Sequence, residues 1–309
     1  MADKKMMTEE DIKLKYITPA ITAKWALDNI TMETKITDGK INLKGNFVHR
    51  EKPKKADYIL YSSANNPIAI VEAKDNNHSV SFGMQQAMAY ARMLDVPFAF
   101  SSNGDAFFEH DFLTGHEREL PLTDFPSPDE LLHRLRSVRR FTAYEEKVLN
   151  EPFYTSQNTY APRYYQRNAV NRTLDAIAKG QNRILLVMAT GTGKTYTAFQ
   201  LVYRLLKSGL KKKVLYLADR NILVDQSISQ DFKPLEKTIH KVNFSKDDPI
   251  TISSYEVYFS LYQQLAGDDD EESENDDTVD KLSSLFKPDF FDLIIVDDCE
   301  IIGLHRKAA

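Results

Sequence analysis

The sequence predicts an α/β protein of two domains, and three observations carry that prediction. The chain has 309 residues, more than the ~100–200 of one typical domain. Its first half is made of short alternating segments interrupted by turn-rich stretches. From residue 163 the pattern becomes helix, strand, Gly-rich loop, helix, strand, which implies a parallel sheet with crossover helices. We place the first domain at 1–150, a polar linker at 151–162 (EPFYTSQNTYAP) and the second domain at 163–309.

Hydrophobic residues make up 42% and charged residues 28%, as in a globular chain. The single cysteine, Cys299, excludes an intrachain disulfide and a cysteine-based metal cluster. MADKKMMTEEDIK lacks the apolar core of a signal peptide, and no apolar run approaches the ~18 residues of a membrane span. The expected location is cytoplasmic, with no membrane partner. The net charge of −5 is misleading, because GDDDEESENDDTVD (Gly267 to Asp280) holds nine acids and no base. Such a block reads as a solvated loop, and without it the chain is mildly basic. Nucleic acid therefore remains open as a partner, although charge alone does not argue for it.

In the first domain, TEEDIKLKYITPAITAKWAL reads as an amphipathic helix interrupted near Pro19, with Thr8 as N-cap. ADYILY (Ala56 to Tyr61) and IAIVEAK (Ile68 to Lys74) read as strands joined by the turn SSANNP. SFGMQQAMAYARML reads as a helix. VPFAFSS and DAFFEHDF read as strands around the hairpin signal Asn103-Gly104. FPSPDELLHRLRSV starts a helix with Ser127 as cap and Pro128 at its first position.

Chemistry-bearing residues sit on the first strand pair. Side chains alternate along a strand, so Glu72 and Lys74 share a face. If the two strands pair, Asp57 lies near Glu72. Two acids and a lysine on one rim can bind Mg²⁺, orient a water and offset charge on a phosphodiester. ExK alone is common at strand ends. Three neighbours favour the functional reading: KPKK (Lys52 to Lys55) for a DNA backbone, Gln86 and Tyr90 on one helix face, and Glu9 as a further metal ligand.

The second domain carries ILLVMATGTGKTYTAFQLVYRLLKSG. Ile184 to Val187 read as a buried strand. Thr190, Gly191, Thr192 and Gly193 form a loop whose N–H groups can curl around a phosphate at a helix N-terminus. Lys194 can reach β- and γ-phosphates, and Thr195 can ligate Mg²⁺. Met188 stands where the general motif has its first glycine. Arg163 and Gln166 precede the loop, and an amide such as Gln166 can pair with both edges of adenine. KKVLYLADRNILVDQ gives another strand, Val214 to Leu217. FDLIIVDD can deliver Asp297 to hold Mg²⁺ and Asp298 to orient a water.

TEEDIKLKYITPAITAKW, ADYILY, IAIVEAK, QQAMAYA, FPSPDEL, RYYQ, MATGTGKT and LADRNILVDQ follow one another in the order of type I restriction enzyme R subunits, which the chain resembles from about Thr8 to Asp298. MATGTGKT matches the family's own form of the loop. The resemblance implies a PD-(D/E)xK endonuclease domain with a mixed sheet, with Asp57, Glu72 and Lys74 as its core and Gln86 with Tyr90 as its QxxxY element. It implies next a RecA-like P-loop lobe of a superfamily 2 motor with a parallel sheet, using ATP and Mg²⁺ on duplex DNA. Lys194, Thr195 and Asp297 match its first two motifs. Methyltransferase and specificity subunits are the implied partners. Asp298 and Glu300 depart from the family's Asp-Glu-Cys-His, and the tail EIIGLHRKAA does not follow its pattern. The second lobe and the docking region do not follow. The expectation is a nuclease with a single motor lobe, able to bind nucleotide but not to translocate. The alternative is an inactive DNA- or nucleotide-binding remnant.

Overall fold

The computed structural model describes residues 3–37, 41–44, 47–50, 52–63, 66–139, 146–148, 151–157, 161–261 and 285–297. The acid-rich block, Asp298 and Cys299 lie outside the described residues. Two compact units result. One comprises Met1–Glu146 with Thr155–Ala169, the other Lys147–Tyr154 with Val170–Ala309. The chain therefore passes three times between the units, within the stretch read as linker and the residues flanking it.

The first unit opens with a helix in three pieces. These are α1 (Glu9–Ile12), a π turn (Lys13–Ile17) and α2 (Thr18–Thr22). Thr8 caps it through a reciprocal capping box with Asp11. The interruption expected near Pro19 is present as the π turn, and the helix resumes as α2 around that proline. The missing N–H and bulky ring of Pro19 would disturb an α turn, and the wider π winding, with Thr18 N–H donating to Lys13 O, absorbs them.

Strands β1 (Ile30–Thr37), β2 (Ile41–Lys44), β3 (Phe47–Arg50), β4 (Lys54–Ser63), β5 (Asn66–Ala73), β6 (Phe98–Ser102), β7 (Ala106–Asp111) and β8 (Glu117–Pro121) follow. Six of them form one mixed sheet, β1-β4-β5-β6-β7-β8, while β2 and β3 make a separate hairpin. Only β5 and β6 are parallel in the mixed sheet. A parallel pair needs a crossover, and α3 (Met84–Leu94) supplies it. Alternation splits the core between the two faces. Tyr58, Leu60, Val71 and Phe100 pack with Ile12, Ile17, Ile21 and Trp25, whereas Ile59, Ile70 and Ala99 pack under Ala87, Tyr90 and Ala91 of α3. Helix α4 (Pro128–Arg139) begins as the Ser-Pro pair dictates, with Glu130 N–H donating to Ser127 Oγ at 3.2 Å. It is tied to β7 by Arg134, which donates to buried Glu109 and Asp111, each at 2.6 Å.

Helix α5 (Tyr164–Ala178) contributes to both units. The second unit continues with α6 (Lys194–Lys207), β9 (Val214–Ala218), α7 (Asn221–Ser229), β10 (Ile239–Lys241), α8 (Pro249–Ile252), β11 (Val257–Leu261) and β12 (Leu293–Val296). Its sheet runs β10-β11-β9-β12 and is parallel throughout. Helix α6 packs Phe199 and Val202 on that sheet. Val148, Phe153 and Tyr154 are pinned along α6. Gln200 bonds both the N–H and the carbonyl of Tyr154, and buried Arg204 donates to Val148 O while stacking on Phe153.

The buried strand expected at Ile184–Val187 is absent. This segment has no regular structure, with Leu185 77% and Val187 87% exposed. β12 is the sheet edge among the described residues, and residues 184–187 do not add to it as a further strand.

Candidate active site

Asp57 and Glu72 face each other where β4 and β5 part. The ladder pairs Tyr58 with Val71 and ends there. Reciprocal side-chain bonds take its place: Asp57 N–H donates to Glu72 Oε1 at 3.3 Å, and Ala73 N–H donates to Asp57 Oδ2 at 2.8 Å. Glu72 is wholly buried. Burial first, and the nearby Asp57 charge second, push its pKa up to about 9.

Lys74 extends from the same strand. Its Nζ donates to Ala73 O at 2.8 Å and lies 3.8 Å from Glu9 Oε2. Glu9, at the start of α1, therefore reaches the site. Gln86 donates to Tyr90 OH at 3.3 Å on α3. The Tyr90 hydroxyl is held above the usual tyrosine range by burial and by the Glu72 charge. The structure thus brings Asp57, Glu72, Lys74 and Glu9 together, with Gln86 and Tyr90 paired on the helix that packs over the same sheet. Lys54 and Lys55 are exposed on β4, just ahead of Asp57.

Sequence reasoning missed two residues here. Lys13 is 3% exposed at its side chain, and its Nζ lies 2.7 Å from Asp57 Oδ1 and 2.8 Å from Glu33 Oε1. Burial opposes its charge, but hydrogen bonds to Asp57, Glu33 and Glu10 outweigh that and raise its pKa above an ordinary lysine's. Glu33 has φ +50, unusual for a residue other than glycine. The Glu9–Lys13 spacing was visible in the sequence but reads as an exposed helix pair. Only the fold shows that this lysine is buried.

Asp57 and Glu72 offer the oxygen donors that a hard divalent cation takes. Among the described residues no three acid, cysteine or imidazole side chains close into a ready-made metal cage. Glu72 Oε2, however, is buried and has no hydrogen-bond partner. A buried acceptor left unsatisfied is costly, and a cation would satisfy it. The residues fit a divalent metal.

In the second unit the Gly-rich loop leads into α6. Gly191 and Gly193 take φ +76 and +81, which other residues rarely adopt. Thr192 Oγ1 donates to Ala189 O at 2.6 Å and tightens the turn. Thr190 sits at the start of this turn, and Lys194 and Thr195 begin the helix, whose first N–H groups have no intrahelical acceptor one turn back. That end suits an anion such as a nucleotide phosphate, and the open space around Gly191 leaves room for it. Asp297, at the end of β12, accepts a hydrogen bond from the Tyr216 hydroxyl. Arg163 and Gln166 belong to the first unit's set of residues, and the Gln166 amide oxygen accepts from Arg163 N–H at 2.9 Å, capping α5. Asp298 lies outside the described residues.

Comparison with known proteins agrees with this architecture. Residues 20–126 match the family described as Type I restriction enzyme R protein N terminus. Residues 159–306 match the family described as Type III restriction enzyme, res subunit. The chain is 44% identical over 311 aligned residues to the Type I restriction enzyme EcoAI endonuclease subunit of Escherichia coli, covering 98% of this chain and 36% of that protein. It is 30% identical to the EcoKI endonuclease subunit of Escherichia coli strain K12, over 56% of this chain and 18% of that one. A solved fragment of a candidate HsdR subunit of a type I restriction enzyme from Vibrio vulnificus YJ016 superposes with a TM-score of 0.75 at 35% identity, covering 95% of this chain and 52% of that one.

Fold and matches together define a restriction-enzyme subunit that joins a mixed-sheet domain to a helicase-like P-loop domain. Within that class the chain belongs to the R-subunit family of the type I restriction enzymes. It spans about a third of the EcoAI subunit and less than a fifth of the EcoKI subunit. Among the described residues, no helix is long and apolar enough to cross a membrane.

Proposed function

We propose that the first unit is a Mg²⁺-dependent DNA endonuclease centred on Asp57, Glu72 and Lys74, and that the second binds ATP. One observation carries the nuclease reading: a buried acid pair with an unsatisfied oxygen, Glu72 Oε2, beside a lysine that directly follows the same strand. Asp57 and Glu72 would hold the metal. When bound, Mg²⁺ supplies Lewis-acid polarisation of the phosphate and a more acidic water. Lys74 offsets the charge that develops on the phosphodiester oxygens. Tyr90, joined to Gln86, closes the Glu72 side against bulk water, and Glu9 holds the Lys74 ammonium. Exposed Lys54 and Lys55 offer cations to the duplex backbone.

In the second unit Thr190 to Thr195 would cradle the phosphates, with Thr195 and Asp297 holding the nucleotide's Mg²⁺. Double-stranded DNA is the proposed substrate. Methyltransferase and specificity subunits are the proposed partners, and the cytoplasm is the proposed location.

The test is conversion of supercoiled plasmid to nicked and linear forms by the purified chain, with Mg²⁺ or Mn²⁺ and no ATP. Cleavage that EDTA stops, and that Glu72→Ala abolishes, supports the reading. Absence of cleavage with either metal refutes it.

A further inference from the structure

Lys13 is surrounded by acids. Its Nζ lies within 4 Å of four carboxylates: Asp57 at 2.7 Å, Glu33 at 2.8 Å, Glu10 at 3.0 Å and Glu9 at 3.6 Å. Two backbone irregularities converge on it. The π turn that starts at Lys13 is one. The other is Glu33, which stands across from Asp57 in the β1–β4 ladder. Met32 pairs with Tyr58 and Thr34 with Ala56, but Glu33, at φ +50, drops out of the pairing. Like charges directly opposite on neighbouring strands repel. Here the two acids share one ammonium instead.

This arrangement engages both oxygens of Asp57. Oδ2 accepts from Ala73 N–H, and Oδ1 accepts from Lys13. Sites that hold two divalent ions about 4 Å apart need carboxylate oxygens for both ions. Oδ2, bonded only to a neutral N–H of β5, keeps a lone pair for one cation beside Glu72, whereas a cation at Oδ1 would sit against the like charge of the Lys13 ammonium.

Resting on the nuclease reading above, we infer that Lys13 is a positioning residue that stands in for a second metal ion, so that the Asp57–Glu72 site takes one divalent cation. Its fixed charge orients Asp57 and offsets part of the negative charge of Glu9, Glu10 and Glu33. Without it those acids form a second cation site on the flank of Asp57.

The experiment counts Mn²⁺ ions bound to the full chain, without nucleotide, by calorimetry and by the electron paramagnetic resonance of free Mn²⁺. Changes relative to wild type are the readout, so ions bound elsewhere cancel. Lys13→Met should bind one ion more than wild type, and Lys13→Arg the same number as wild type. Glu72→Gln should bind one fewer. If Lys13→Met does not fold, Lys13→Met/Glu33→Gln removes one of the acids left without a counterion and should still gain one ion. The Mn²⁺ dependence of cleavage should steepen in parallel, its Hill coefficient rising from one towards two in Lys13→Met. An unchanged count in the folded Lys13 variant overturns the role of Lys13 and leaves the nuclease reading standing. A Glu72→Gln protein that loses no ion refutes the nuclease reading, and the inference with it.

Discussion

Replacing Glu72 by Gln should stabilise the metal-free protein while removing its proposed chemistry. Glu72 is buried and carries a pKa of about 9 against an ordinary 4.5. Between those values the folded chain holds a proton that the unfolded chain releases. The contribution of Glu72 to stability therefore falls as pH rises from 4.5 towards 9. At pH 7 the interval traversed is about 2.5 pKa units, a penalty on the order of 3 kcal/mol. Gln has the shape of the protonated acid and escapes that penalty. The assay is urea unfolding in EDTA at pH 5, 7 and 8.5, followed by the fluorescence of Trp25. This is the chain's single tryptophan, and it is buried in the first unit. The variant should be the more stable at pH 7, with a gap that grows to pH 8.5 and nearly closes at pH 5. Mn²⁺ should stabilise wild type and leave the variant unchanged. A variant less stable than wild type at pH 7, or a gap independent of pH, would refute the reasoning.

Three further outcomes follow from particular contacts. Arg134→Met leaves Glu109, paired otherwise with Arg118, and Asp111 buried with less compensating charge, and should cost on the order of 3–5 kcal/mol in urea unfolding at pH 7. Gly104→Ala places a Cβ 2.8 Å from Ile12 Cγ2 at φ +84, and should cost roughly 2–3 kcal/mol by the same assay, because both the left-handed backbone and the contact are unfavourable. Lys194→Ala should weaken ATP binding, measured by fluorescent nucleotide displacement, by at least tenfold, while plasmid nicking without ATP stays at the wild-type rate.

Much of the acid pair was legible because period-two alternation fixes which side chains share a face. ADYILY and IAIVEAK could pair in one way around SSANNP, and the observed register sets Asp57 against Glu72. The Ser127-Pro128 start of α4 and the positive φ of Gly104 were equally local, so the sequence carried them. Lys13 was not legible. Its burial depends on a π turn and on a strand residue, Glu33, that is distant in sequence and held in an unusual conformation. Ile184–Val187 failed for the opposite reason. Their apolar run satisfies the pattern of a buried strand, but a strand also needs a neighbour, and periodicity says nothing about neighbours. The Arg134 and Arg204 attachments likewise join residues far apart in the chain.

The central claim is that one cluster both holds the metal and cleaves DNA, with Lys74 serving the chemistry and the acid pair serving the metal. Measuring Mn²⁺ binding and duplex cleavage on the same preparation of Lys74→Ala separates the two roles most directly. The account predicts one ion bound at the Asp57–Glu72 site, as in wild type, with cleavage reduced by a factor on the order of 10² or more. Cleavage at the wild-type rate in Lys74→Ala would contradict it.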